Sequence, residues 1–113
     1  MEYLENHEYF EQLIGRSTVP EGVVMPSLVI LYFTAGWCGA CKRLNLERIM
    51  GAGAVQPKWL KVDVDLNSYT SGYCNIRSIP TFICVRNGVI AGQIGSSDTN
   101  KVIEWVEQMC AKQ

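Results

Sequence analysis

The chain has 113 residues, of which 48 % are apolar, with ten basic and eleven acidic side chains. That length fits one domain, residues 1–113, and the apolar share is enough for a core without disulfide staples. The near-balance of charge points away from nucleic acid and anionic membrane surfaces, and the longest apolar run, Ser27 to Ala35, is too short to span a bilayer.

Met1 to Leu4 reads as a short edge strand. The opening stretch, Met1-Glu2-Tyr3-Leu4-Glu5, is acidic and lacks the layout of a signal peptide. The expectation is a cytoplasmic chain, or a mature one whose signal has been removed. Asn6 caps a helix over Glu8–Ile14, with Phe10, Leu13 and Ile14 inward, and Gly15 ends it. Arg16 to Pro26 is a long loop. Ser27 to Thr34 is a continuous β-branched and apolar run, the pattern of a central strand covered on both faces. A C-x-x-C pair follows, Cys38-Gly39-Ala40-Cys41, then a helix over Lys42–Met50 with Leu44, Leu46 and Ile49 inward, broken by Gly51, Gly53 and Pro57.

Trp59 to Asp65 reads as the next strand, with Lys61, Asp63 and Asp65 on its polar side or end. Asn67 caps a short helix through Tyr73, and Ile76 to Pro80 turns the chain. Thr81–Val85 is a strand, Asn87-Gly88 a two-residue hairpin signal, and Val89–Ile94 its partner. Asp98 or Thr99 caps a last helix with Val102, Ile103, Val106 and Met109 inward. This order gives an α/β chain, its first half built from parallel crossovers and its second from an antiparallel hairpin and a covering helix.

Of the five cysteines, only Cys38 and Cys41 have a mechanism attached to their spacing. Placed where a strand runs into a helix, the first sulfur meets unpaired backbone N–H groups and the helix dipole, which favour a thiolate. A zinc site is disfavoured because zinc takes about four ligands and His7 is the only histidine. His7 reads as solvated, and Asp63 and Asp65 as solvated strand-end residues rather than a cation site. Trp59 and Trp105 read as packing residues. Cys84 reads as core. Cys74 reads as a half-exposed thiol, with regulation as the alternative, and Cys110 as a thiol open enough for accidental dimerisation.

Together these motifs resemble the thioredoxin family over about Asn6 to Met109. The matching residues are Phe33-x-Ala35-x-Trp37-Cys38-Gly39-x-Cys41-Lys42, then Val62-Asp63-Val64-Asp65, Ile79-Pro80-Thr81, Asn87-Gly88 and Gly95. The resemblance implies a thioredoxin fold, a central mixed sheet of about four to five strands with helices on both faces. It implies that Cys38, exposed at the helix start, attacks a substrate disulfide, and that Cys41, more buried, resolves the mixed disulfide. It makes Pro80 a cis-proline facing the pair and turns the backbone of Ile79 toward an extended substrate segment. Trp37, Ile79 and Gly95 form the apolar rim of that substrate face, which includes Gly39, Ala40 and Pro80.

The implied activity is reduction of protein disulfides by a monomer, recharged by a thioredoxin reductase or another dithiol donor, with no cofactor and no metal. The alternatives are an oxidase or isomerase of the same fold, or a binding module that uses the Trp37–Ile79 face. A glutathione-using variant is disfavoured because Ser96-Ser97-Asp98 stands where its binding turn is expected.

Two positions depart from the family pattern. Ala40 stands where proline is common, which restores an N–H near the Cys38 sulfur. Tyr32 stands where the family often buries an aspartate, and a phenol with a reference pKa near ~10 is a poor base. Lys61 matches the family's lysine, and without that aspartate its expected partner is Asp63 or solvent.

Overall fold

The computed structural model describes residues 1–112; Gln113, the end of the expected domain, lies outside them. The elements in chain order are β1 (Glu2–Tyr3), α1 (His7–Leu13), β2 (Leu28–Thr34), α2 (Gly39–Lys42), α3 (Leu46–Met50), β3 (Lys58–Asp63), α4 (Ser68–Tyr73), β4 (Thr81–Arg86), β5 (Val89–Gly95) and α5 (Thr99–Met109). The strands form one five-stranded sheet in the order β1-β3-β2-β4-β5. β3 is parallel to both β1 and β2, β4 is antiparallel to β2, and β5 is antiparallel to β4.

The sheet is mixed and covered on both faces. Side chains alternate along β2, so Ile30 and Tyr32 join Trp59, Phe82 and Cys84 on one face, packed by Ile49 of α3 and Val102, Trp105 and Val106 of α5. Val29, Leu31 and Phe33 point the other way, against Leu60, Val62, Ile83 and Val85 and under Phe10 and Leu13 of α1. Burying each such side chain stabilises by about 1.5–3 kcal/mol. Every residue from Val29 to Phe33 is essentially solvent-free, so β2 anchors both cores and its C-terminal end is a fixed platform.

The helix expected over Lys42–Met50 is two. α2 begins earlier, at Gly39, and Asn45 interrupts the chain before α3. The Asn45 side chain accepts the Arg48 N–H, and its own N–H donates to Thr99 Oγ1 (3.0 Å), so a capping geometry replaces helix continuation. Leu44 and Ile49 are buried, while Leu46 is only half-buried; Ile14, Ile103 and Met109 are half-buried too. β3 stops at Asp63 rather than Asp65 because the Asp63 carboxylate accepts the N–H groups of Asp65 and Leu66, which pulls the backbone into a turn. The expected hairpin forms, with Asn87 and Gly88 both at positive φ (51° and 81°), the left-handed pair that a tight twisted turn needs. No helix among the described residues is long and apolar enough to cross a membrane.

Candidate active site

β2 delivers the cysteine pair. After Thr34 the chain makes a short turn closed by the Cys38 N–H to the Ala35 carbonyl (3.1 Å), and α2 starts at once. Cys38 is the cap residue of α2, and its sulfur accepts the Cys41 N–H at 3.0 Å. α2 is a single turn, so this direct bond, more than a summed dipole, is what favours negative charge on Cys38. Cys38 and Cys41 are joined as a disulfide, with Cα atoms 5.3 Å apart. The sequence reading placed Cys38 exposed and Cys41 deeper; in this oxidised state Cys38 is 3 % exposed and Cys41 6 %. Both belong to the core cluster that holds Tyr32, Leu44 and Phe82, with Ala40 and Ile79 packed against it. What distinguishes the two is therefore the N–H bond received by Cys38 rather than depth.

The Ile79–Pro80 bond is cis. β4 pairs Thr81 with Phe33, which sets Pro80 beside the end of β2 where the cysteine pair begins. Thr81 also pairs with Gly95 of β5, where a Cβ would meet Thr81 Oγ1 and the Pro80 carbonyl, so Gly95 lies beside Pro80. The N–H and C=O of Ile79 have no hydrogen-bond partner among the described residues, leaving a short open edge. Trp37 is 68 % exposed, and its indole N–H donates to Asp65 Oδ2 at 2.7 Å. Between Trp37 and Ile79 runs a groove of about 290 Å³, also lined by Val64, Ile76, Arg77 and Ser78. Gly39 is exposed and Ala40 half-buried.

The chain is matched in known proteins over nearly its whole length. The profile of the family described as Thioredoxin matches residues 8–108. The chain belongs to the thioredoxin family. It is 31 % identical over 106 residues to the thioredoxin of Haemophilus influenzae, covering 91 % of this chain and 92 % of that one. It is 35 % identical over 83 residues to thioredoxin C-2 of Corynebacterium nephridii, covering 71 % and 77 %. The crystal structure of Malassezia sympodialis thioredoxin superposes with a TM-score of 0.78 at 27 % identity, over 97 % and 93 % of the two chains. This chain is a thiol–disulfide oxidoreductase of that family, and its Cys pair at active-site spacing supports dithiol–disulfide reduction.

The departures from the thioredoxin pattern take physical form here. Tyr32 is 2 % exposed and stacks on Phe82, ring centroids 4.9 Å apart. Burial pushes its phenol up, so Tyr32 is a neutral group at physiological pH and no proton acceptor. Lys61, level with Tyr32 on β3, pairs with neither Asp63 nor solvent alone: its ammonium lies 5.1 Å from the centre of the Tyr3 ring on β1. Asp63 is occupied by the turn it closes. The Cys38 sulfur receives Cys41 N–H and no bond from Ala40 N–H, so the extra donor that alanine restores is not engaged in the disulfide form.

Of the remaining thiols, Cys110 differs from expectation, whereas Cys74 is half-buried as expected. Cys110 is fully buried at the end of α5, since the 52–55 segment lies over it, with the Val55 N–H on its carbonyl; it is not open to dimerisation. Cys74 closes α4, and burial pushes its thiol up to about 11, which opposes a regulatory role. Cys84 is core, as its strand implies. No group of three or more His, Cys, Asp or Glu side chains among the described residues could hold a metal.

Asp65 is exposed as expected, but sequence reasoning missed its bond to the Trp37 indole and the groove residues Val64, Ile76, Arg77 and Ser78. The signal for Asp65 was present: β3 runs parallel to β2 with Thr34 level with Asp63, so a residue two past the strand end reaches the loop that carries Trp37.

Proposed function

We propose that this chain reduces protein disulfides with Cys38 as nucleophile and Cys41 as resolving residue. In the reduced protein the Cys38 thiolate attacks one sulfur of a substrate disulfide. The substrate S–S bond breaks, the departing sulfur takes a proton, and Cys38 is left in a mixed disulfide. The Cys41 thiolate then attacks the Cys38 sulfur, forming the bond seen in the structure and expelling the second substrate thiol. Two electrons pass from the dithiol to the substrate. The observation that carries the assignment of roles is the Cys41 N–H on the Cys38 sulfur at 3.0 Å, which stabilises charge on the attacking atom.

Trp37, Gly39, Ala40, Ile79, Pro80 and Gly95 form the substrate face in this reading. The open backbone edge of Ile79 takes an extended segment as a short added strand, and the rim of Trp37 holds it against the sulfurs. Tyr32 and Lys61 support the site from beneath rather than moving protons. We place the chain in the cytoplasm, where Cys74, Cys84 and Cys110 stay free, as a monomer recharged by a thioredoxin reductase or another dithiol donor. Insulin reduction with dithiothreitol tests the reading: the protein accelerates precipitation of the insulin B chain, and a binding module with an idle cysteine pair gives no acceleration.

A further inference from the structure

We infer that Arg77 sets substrate specificity, selecting disulfide-bearing segments with an aspartate or glutamate close to the attacked cysteine; this rests on the reductase reading above. The groove between Trp37 and Ile79 is floored by Val64 and Ile76, and Arg77 is the one charged side chain that lines it. Its guanidinium makes no ion pair or hydrogen bond among the described residues. Three of the other four arginines are held, Arg16 by Glu11, Arg48 by Asn100 and Arg86 by the Met109 carbonyl; the fourth, Arg43, does not line the groove. The carboxylates at the end of β3 are engaged elsewhere. Asp63 accepts two backbone N–H groups, and Asp65 accepts the Trp37 indole.

Arg77 lies two residues before Ile79, so a strand laid on the open edge of Ile79 runs past the guanidinium. A guanidinium presents a planar fork of donors that matches a carboxylate. Lys42 and Arg43, both exposed just after Cys41, add charge of the same sign beside the cysteine pair. An acidic side chain flanking the substrate cysteine is thus the complement of an otherwise uncharged groove.

The test uses synthetic peptide disulfides that differ only by Glu, Gln or Lys at each of the positions flanking the attacked cysteine. At low salt the wild-type protein reduces the Glu peptide with a kcat/KM about fivefold above its Lys counterpart at one or more of these positions, the scale of one exposed ion pair, and about 0.5 M salt shrinks the ratio. Arg77→Glu reverses the order, and Arg77→Gln brings the ratio close to one. A wild-type ratio of one at every position, or a ratio that survives in Arg77→Glu, overturns the inference and leaves the reductase reading standing. Failure of the wild-type protein to reduce any peptide overturns both.

Discussion

Tyr32→Phe separates a packing role for this side chain from a chemical one. The ring that stacks on Phe82 stays, and only the hydroxyl is lost. Loss of one hydroxyl changes folding stability by at most about 1.5 kcal/mol, the scale of a single hydrogen bond. Because burial holds the phenol neutral, no proton acceptor is removed. The rate of insulin reduction therefore stays within about twofold, whereas loss of a general base costs about 10²–10⁴. Stopped-flow kinetics between pH 5 and 9 measures this. The wild-type and Phe variants should share one profile, without a step belonging to position 32. A tenfold loss of rate in Tyr32→Phe, or a displaced acidic limb, refutes the argument. Tyr32→Asp is the opposite perturbation: it empties a buried aromatic site, at a cost of about 3–5 kcal/mol. It also installs the carboxyl that the family often carries. If proton transfer to or from Cys41 limits resolution, the mixed disulfide collapses faster in that variant; an unchanged rate means that Tyr32 is not limiting. Stability carries a second signature. The folded-state pKa of Tyr32 is raised, so the stability linked to it is complete below about pH 10, the unfolded value, and declines as pH rises beyond it. Tyr32→Phe should flatten that alkaline limb, while Cys74 and Tyr69, raised in the same direction, keep part of it.

Cys74, with its thiol pushed up to about 11, holds only about 10⁻⁴ of its sulfur as thiolate at pH 7. Iodoacetamide should modify Cys38 of the reduced protein first, and Cys74 should react appreciably only as pH approaches 11; peptide mapping that finds Cys74 labelled early contradicts its burial. Asp65→Ala frees the Trp37 indole, and the less ordered rim should lower kcat/KM for insulin by about fivefold, the worth of roughly 1 kcal/mol of charge-assisted bonding at an exposed site. A change in Tm alone, with kinetics intact, would remove Trp37 from the substrate face. Ala40→Pro deletes an N–H two residues past Cys38, a helix position from which a capping group accepts. The reduced form loses that support, and the potential should become more reducing by about 30 mV, the equivalent of one modest hydrogen bond in a two-electron couple. An equal or higher potential refutes it.

Most of the fold was legible because burial is two-sided here. Val29 to Phe33 reads as an unbroken apolar run, and only a central strand between helix layers asks for that. The Asn87-Gly88 pair and the Asn67 and Asp98 caps are short-range signals with local causes, and they place their elements closely. The split of α2 from α3 was not legible, since the decisive bond joins Asn45 to Thr99, 54 residues away. The end of β3 depends on Asp63 turning its carboxylate onto the next backbone groups, a choice that alternation alone does not reveal. At the site, the cysteine pair, Pro80 and Trp37 carry spacing signals. The groove does not, because Val64, Ile76 and Arg77 meet only after β3 and the loop after α4 are packed side by side. Cys110 looked exposed from its place at a helix end; the 52–55 segment that covers it comes from a different part of the chain.

Trapping the covalent intermediate tests the division of labour between the sulfurs most directly. Reduced Cys41→Ser protein, mixed with an insulin or peptide disulfide and examined by mass spectrometry, should accumulate a mixed disulfide mapped to Cys38, because attack proceeds and release does not. Reduced Cys38→Ser should accumulate none. A stable adduct on Cys41 in the second variant, or no adduct in the first, would contradict the assignment of the Cys38 sulfur as the attacking atom.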